Sequence, residues 1–481
     1  MSSIKELAKH SGNYFLAILA SKALAFISIP VYTYLLTVEE YGIYNLFIST
    51  VGIATVLLTL NSEVAISRYF YDAKDTDDFK IFVGTSINLT SMIFLIMSII
   101  TVLFCKPLSI YLNLDKLLIL AIIPVSLYNV INSIFQQIYQ PLLKSRKIAI
   151  VTSVQSYLAF GLSVIVMLFL KQDKYYGQVW GTIAAMFIIA YYLIRQIKPF
   201  YKRVISKVHI KYILSYSIPY LPYSLSGIII AQFGKLVIGQ EQGFESVGMY
   251  SFASNIATLM LVLISVTHSA WNPYYFQYMK NENYKQIDND YELIWRLTIL
   301  ASVVLSLFSK EIAMILGRPE YLGALQIIPI LVLGYCFYQW SYVYMRNVGY
   351  SKRTIWNAVV VVLSGIINVL LNYLLVDGWG DMGIATSFAL SYLSMLLLGW
   401  VVNKYILKVY APSVKKFILP FISLFPIICC AWFQFTSGSI WWDICAKLLV
   451  VIIYTIFLFH IWKDSILTFL NFKNIYHRVK Y

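Results

Sequence analysis

Apolar stretches long enough to cross a bilayer follow one another along almost the whole chain. By length and hydropathy they fall near residues 13–36, 41–64, 82–105, 117–140, 148–170, 177–195, 213–238, 248–269, 294–316, 325–346, 354–376, 383–402, 416–435 and 442–462. About 20 apolar residues in a helix span the ~30 Å hydrocarbon layer. Inside lipid, a backbone that is not closed into a barrel must satisfy its own hydrogen bonds as a helix. The expected fold is therefore an all-α polytopic membrane protein with about 14 transmembrane helices. Composition agrees: 60% of residues are hydrophobic and 12% charged, with a mean hydropathy of +0.73. Soluble domains carry about 25% charged residues. Prolines such as Pro30, Pro124, Pro219, Pro222 and Pro329 fall inside these stretches, as membrane helices tolerate.

The first stretch is too long and too polar at its centre for a cleaved leader. The net charge of +15 would suggest nucleic acid in a soluble protein, but its distribution gives another answer. With a cytoplasmic N-terminus, 28 of the 37 Lys and Arg residues fall in inner segments and five in outer loops. Cytoplasmic loops of membrane proteins carry such an excess. Both termini are thus expected on the cytoplasmic side, with an even number of crossings and no nucleic-acid partner. The longest inner loop, 195–211, carries six basic residues and no acid, a composition suited to anionic lipid.

The two sides of that loop resemble each other at a constant offset of 206 residues. Glu39, Gly42 and Tyr44 recur as Glu245, Gly248 and Tyr250. Tyr69-Phe70 recurs as Tyr275-Phe276, Ser145-Arg146-Lys147 as Ser351-Lys352-Arg353, and Gly177 as Gly383. The offset spans six stretches, an even number, so the halves run in the same direction, as in transporters built from parallel repeats. The chain reads as an N-lobe (1–197), a cytoplasmic linker (198–212), a C-lobe (213–403), and two C-terminal helices with a cytoplasmic tail (404–481). That makes two repeat-related six-helix lobes plus two C-terminal helices.

Polar residues inside these stretches are the candidates for function, because charge in the bilayer is costly. Lys22 stands at the centre of the first stretch, about nine residues past Asn13. That is ~14 Å of helix, a long reach for snorkelling. Asn129, Asn132, Gln136 and Gln140 follow one helix face, and their counterparts at the same offset are Tyr335, Tyr338, Tyr342 and Arg346. Amides and phenols exchange hydrogen bonds with sugar hydroxyls, and aromatic faces cover apolar sugar faces; interhelical hydrogen bonding is the competing explanation. Lys235 is a further candidate cation, whereas Lys310 and Lys447 lie near outer ends and can snorkel. Arg68 and Arg296 mark cytoplasmic mouths, and Glu63 and His268 are the candidates for ion coupling. Pro219 and Pro222 leave carbonyls free and bend the seventh stretch.

No enzyme constellation is present in the sequence. It lacks a phosphate-binding G-x-x-x-x-G-K-[ST] loop, its five histidines are scattered, and its five cysteines have no metal-ligand spacing. No cofactor or metal is expected.

Several segments resemble bacterial polysaccharide flippases. These are the Wzx-type members of the multidrug/oligosaccharidyl-lipid/polysaccharide exporter superfamily. The segments are Lys9-His10-Ser11-Gly12-Asn13-Tyr14, Pro30-Val31-Tyr32, and Val38-Glu39-Glu40-Tyr41-Gly42-Ile43-Tyr44. Further on come Ile218-Pro219-Tyr220-Leu221-Pro222, Val247-Gly248-Met249-Tyr250-Ser251 and Trp271-Asn272-Pro273-Tyr274-Tyr275. The set closes with Glu320-Tyr321-Leu322-Gly323-Ala324, Ile327-Ile328-Pro329-Ile330-Leu331, and Ser351 through Asn368 to Asn372-Tyr373. The resemblance implies two six-helix bundles around a cavity that opens alternately to each side. It implies a polyprenyl-diphosphate-linked oligosaccharide as substrate and cationic cavity residues for the diphosphate, Lys22 matching such a position best. Many relatives carry Asp-Arg where this chain has Gly234-Lys235, so a carboxylate role there is not carried over. The implied setting is the bacterial inner membrane. The implied products are O-antigen (lipopolysaccharide), capsule or exopolysaccharide, and the implied partners are a polysaccharide polymerase, a chain-length regulator and membrane lipids. A drug or metabolite antiporter of the same superfamily and a lipid II flippase are the alternatives.

Overall fold

The computed structural model describes residue 24 and residues 26–412 and 440–461. Lys22 and the predicted thirteenth stretch, 416–435, lie outside the described residues. Among those described, regular structure is helical throughout.

The helices, in chain order, begin with α1 (Phe26–Leu35), α2 (Val38–Thr59) and α3 (Ala65–Tyr69), the last two joined by a 3-10 turn at Ser62–Val64. They continue with α4 (Thr76–Leu103), α5 (Cys105–Leu112), α6 (Lys116–Tyr139), α7 (Ser145–Phe169) and α8 (Lys174–Ile197). After a basic connection come α9 (Lys207–Glu241), α10 (Phe244–Ala257), α11 (Leu259–Lys280), α12 (Tyr284–Leu307) and α13 (Ser309–Leu316). A 3-10 segment, Pro319–Gln326, leads into α14 (Ile327–Tyr350) and α15 (Ile355–Val401), and α16 (Ile440–Ile461) follows. Nine helices among the described residues are long and apolar enough to cross a membrane, and ten if the bent pair α12–α13 is one span. Two predicted stretches, 354–376 and 383–402, form the single element α15, which breaks at Gly380 (φ +58°, ψ −136°). A side chain is strained at such a φ, and glycine is not.

Local chemistry sets several helix starts. Thr37 caps α2 in a capping box, its hydroxyl accepting from the Glu40 amide while the Glu40 carboxylate accepts from the Thr37 amide. Asp75 and Asn283 cap α4 and α12 with their side-chain oxygens. Both of those helices stop at a phenylalanine of nearly the same conformation, Phe104 (φ −94°, ψ 14°) and Phe308 (φ −93°, ψ 13°). An eight-residue helix follows each, so the two breaks are alike in backbone geometry, although Phe104 and Phe308 fall two residues off the 206-residue offset.

The chain divides into two compact units. The first comprises Met1–Ser251, Leu316–Glu320 and Asn368–Ile384; the second comprises Phe252–Ile315, Tyr321–Ile367 and Ala385–Tyr481. This partition differs from a cut at 197–212. In the first unit α9 lies along α2, with Ser49 donating to Gln232 at 2.9 Å. Farther along, Gln240 donates to the Tyr111 carbonyl and Asn113 to the Gly239 carbonyl. Packing therefore groups α9 with the elements before it. α9 remains a continuous helix through Pro219 and Pro222.

The two repeat-related glycines meet inside the first unit. A Cβ on Gly42 would lie 1.9 Å from the Phe244 carbonyl oxygen, and one on Gly248 would lie 2.2 Å from the Val38 carbonyl oxygen. Residues 42 and 38 map onto 248 and 244 at the 206-residue offset, so the two contacts are exchanged by the repeat. Small residues let membrane helices approach this closely.

The second unit is built on large aromatics. Trp295, Trp340, Tyr275, Tyr321 and Tyr344 are all buried, and α12 packs on α14 through the tilted pair Trp295–Trp340, with Tyr291 edge-to-face on Trp295 one turn away on the same helix. Asn403 and the Tyr344 hydroxyl fasten the chain that follows α15, through the carbonyls of Tyr344 and Pro412. Lys447 on α16 does not snorkel. It pairs with Glu311 on α13, at 2.6 and 2.8 Å to the two carboxylate oxygens.

Candidate functional site

Two buried charges stand out, one in each unit. In the first unit α2 ends at consecutive left-handed residues, Leu60 (φ 49°) and Asn61 (φ 53°). A bulky residue such as leucine is strained in that region, and such strain clusters at functional positions. The break turns the chain so that Glu63 points inward, at 5% exposure. One of its oxygens accepts from Ser133 at 3.3 Å, and the other has no partner among the described residues. Hydroxyls and amides line the nearby stretches of α2, α4 and α6 and bond to one another. Ser62 and Thr90 share a hydrogen bond at 2.7 Å, Thr55 donates to Ser126 at 3.0 Å, and Asn129 donates to Thr55 at 3.4 Å. The Asn61 amide nitrogen has no partner among the described residues. A buried carboxylate with one hydroxyl donor and one open oxygen can take a proton or a small cation.

In the second unit Arg346 is 6% exposed. Its guanidinium carbon lies 4.8 Å from the Trp271 ring centre, 5.2 Å from Tyr275 and 4.8 Å from Tyr342. None of its three nitrogens has a hydrogen-bond partner among the described residues. Cation–π contacts offset part of the cost of burial, at about 2 kcal/mol each when desolvated. They leave five N–H donors unmet. The rings are themselves positioned: the Trp271 indole donates to Asp290 at 3.1 Å, and His268 stacks on Tyr342 with ring centres 3.3 Å apart. Gln339 donates to Thr267 at 3.1 Å, while its carbonyl oxygen and the Tyr275 hydroxyl stay unpartnered among the described residues. His268 and Tyr342 are half-buried and form the accessible edge of the cluster. The arrangement suits a planar or tetrahedral oxyanion, which a guanidinium can bind in bidentate fashion.

Residues 7–279 match the family described as polysaccharide biosynthesis protein. The chain belongs to this family. No curated protein matches it by sequence. The solved structures with a similar fold include the lipid II flippase MurJ in its inward closed conformation. That structure has a TM-score of 0.74 at 15% identity, covering 93% of this chain and 98% of the other. A multidrug resistance MATE family transporter of the MOP superfamily, in an inward-facing conformation, gives 0.53 at 14% identity over 87% and 94%. A point mutant of the Vibrio cholerae MATE transporter VcmN gives 0.56 at 12% identity over 86% and 98%. The shared fold is that of multi-pass membrane transporters.

The remaining candidates in this polysaccharide biosynthesis protein are distributed unevenly. Asn129 donates to Thr55 on α2, Asn132 and Gln136 are half-buried on α6, and Gln140 is exposed at its end. On α14 only Tyr342 joins Arg346. Tyr335 is packed in the core against Phe388, and Tyr338 lies against Tyr392, because α14 is enclosed by aromatic neighbours on most of its surface. Lys235 is 7% exposed, with no hydrogen bond or ion pair among the described residues. Arg296 is buried and pairs with Glu292 at 2.5 Å, and the solvated Arg68 pairs with Asp72 at 3.4 Å; neither is a free cation at a mouth. Trp271, Tyr275, Gln339, Thr55 and Ser133 are site residues that sequence reasoning does not single out. The motif Trp271-Asn272-Pro273-Tyr274-Tyr275 carries a signal for two of them, whereas isolated hydroxyls on apolar helices carry none.

Proposed function

We propose that this protein is a flippase. It moves a polyprenyl-diphosphate-linked oligosaccharide from the cytoplasmic to the outer leaflet of the bacterial inner membrane by alternating access. The observation that supports this most is Arg346, a buried guanidinium with every nitrogen unmet among the described residues, held in an aromatic cradle in a chain of the polysaccharide biosynthesis family. A diphosphate supplies the acceptors that the cradle lacks. Indole and phenol rings beside it suit the first sugar, and Asn129, Asn132 and Gln136 stay candidates for contacts to sugar hydroxyls. Lys22 and Lys235 are further cations for the diphosphate, and Glu63 with His268 provides groups for ion coupling. No covalent step is required; two states of similar free energy, biased by substrate or ion gradient, suffice. In this reading both termini are cytoplasmic, and the product passes to a polymerase and chain-length regulator making O-antigen, capsule or exopolysaccharide.

A lipid II flippase is the second reading, favoured by the higher TM-score to MurJ than to the multidrug transporters. One experiment separates them: delete the gene and analyse lipid-linked precursors in each leaflet. Accumulation of an oligosaccharide repeat unit on the cytoplasmic side, cleared by wild type but not by Arg346→Met, is the expected result. Accumulation of a sugar-peptide precursor would move the assignment to lipid II. Normal precursor levels and normal surface glycan would remove the flippase reading and favour an antiporter.

A further inference from the structure

A further feature of the first unit adjoins the hydroxyls near Glu63 and shares Thr90 with them. α4 presents Ile87, Thr90, Ser91 and Phe94, and α6 presents Leu127, Val130, Ile131 and Ile134, to a common groove of about 230 Å³. Each set has i, i+3, i+4, i+7 spacing, which is one face of a helix. The end of α8 and the turn after it close the groove with Ile194, Ile197, Lys198 and Tyr201. From Ile87 to Phe94 its length is ~10 Å, and its volume is several times the ~30 Å³ of one water.

The polar atoms along it are almost all engaged. Thr90 shares its hydroxyl hydrogen bond with Ser62 at 2.7 Å, and the Tyr201 hydroxyl donates to Asn88 at 3.1 Å. Lys198 is exposed and forms no ion pair with any described residue. Its rim carries exposed apolar side chains, Leu127 and Ile194, so in a bilayer the groove opens on hydrocarbon. The cation sits in the 195–211 segment, where six basic residues and no acid raise a positive potential. An apolar trough with one cation at its end complements one class of molecule, an amphiphile with an acyl chain and an anionic head.

We propose that this groove is a binding site for an anionic glycerophospholipid, one acyl chain lying between α4 and α6 and the headgroup phosphate at Lys198. The commitment to a bulk phospholipid follows from the short, side-open trough and the basic segment, which draws anionic headgroups from the leaflet it faces. The site is independent of the flippase reading and stands or falls without it.

The test is native mass spectrometry of the full-length protein released from detergent. It is loaded with equal amounts of phosphatidylglycerol and phosphatidylcholine of identical chains, and in a second arm with undecaprenyl phosphate as competitor. Wild type is expected to retain phosphatidylglycerol over phosphatidylcholine by about fivefold, the scale of one basic residue at a membrane surface. Lys198→Glu should bring the two lipids to parity. Ser91→Trp fills the groove from an exposed position and should lower retention of both while the melting temperature stays unchanged. Equal retention of the two lipids by wild type, or full phosphatidylglycerol retention by Ser91→Trp, would overturn the proposal. So would displacement of phosphatidylglycerol by an equal amount of undecaprenyl phosphate, which would reassign the groove to a prenyl chain.

Discussion

The Glu63 site and the Arg346 cradle solve the same problem in opposite ways. Each buries a charge without an ion-pair partner among the described residues. Beside Glu63 the donor is small and polar, Ser133, whose hydrogen bond reaches the carboxylate, and the same helices carry the bonded hydroxyls and amide of Thr55, Ser126 and Asn129. Around Arg346 the neighbours are large rings, and no hydrogen bond from a described residue reaches the guanidinium. Hydroxyls can turn to suit either protonation state or a small cation. Rings cannot turn donor into acceptor, and they hold a permanent cation ready for an anion. The first arrangement suits a group whose charge changes; the second suits one whose charge is kept for a ligand.

Removal of the cradle's charge should have the largest effect. Arg346→Met is expected to cut glycan export on the order of 100-fold, the scale of losing charge-assisted hydrogen bonds. Its melting temperature should hold or rise, because an unpaired buried charge is replaced by an apolar chain. Export that persists, or a large fall in melting temperature, would make Arg346 a structural residue and end the contrast. Next comes the scaffold of the first unit, at the start of α2. Gly42→Val and Gly248→Val should each cost about 1–3 kcal/mol by overpacking, and the costs should be similar because the repeat exchanges the two contacts. Denaturation midpoints check this, and sharply unequal costs would deny the symmetry.

Glu63→Gln keeps the size and the Ser133 contact, so its stability should change by only about 1 kcal/mol. Its expected signature is export that no longer responds to an imposed pH or sodium gradient in vesicles. An unchanged response would assign Glu63 to the fold alone. The smallest effect is expected for Tyr335→Phe, which removes a hydroxyl from a residue packed against Phe388 and Tyr392. Complementation within about twofold of wild type, ~0.4 kcal/mol, is the expected result, and a strong defect would return Tyr335 to the sugar-facing set.

Much of the architecture is legible in the residues because bilayer crossing imposes length and hydropathy on each stretch separately. The element α8 (Lys174–Ile197) lies where the hydropathy of 177–195 predicts a span, and α2 and α10 begin at Val38 and Phe244, 206 residues apart. Arg346 is legible as a charge on an apolar helix. Tyr342, one turn before it on the same face, is legible too; Trp271 and Tyr275 are not, because they come from α11, and sequence spacing cannot say which ring of another helix faces which cation. Tyr335 shows the same limit from the other side: it shares a stripe with Tyr342 but meets Phe388 on α15 and is enclosed.

By itself the sequence determined the helical class, the positive-inside charge pattern and the repeat, since each follows from local composition or from like matching like along one chain. Only the tertiary structure decided that Arg296 and Lys447 are paired while Arg346 has no ion pair among the described residues, and that Gly42 and Gly248 meet. Those outcomes depend on which neighbours packing brings within a few ångströms, a property of pairs of distant residues that no single stretch encodes.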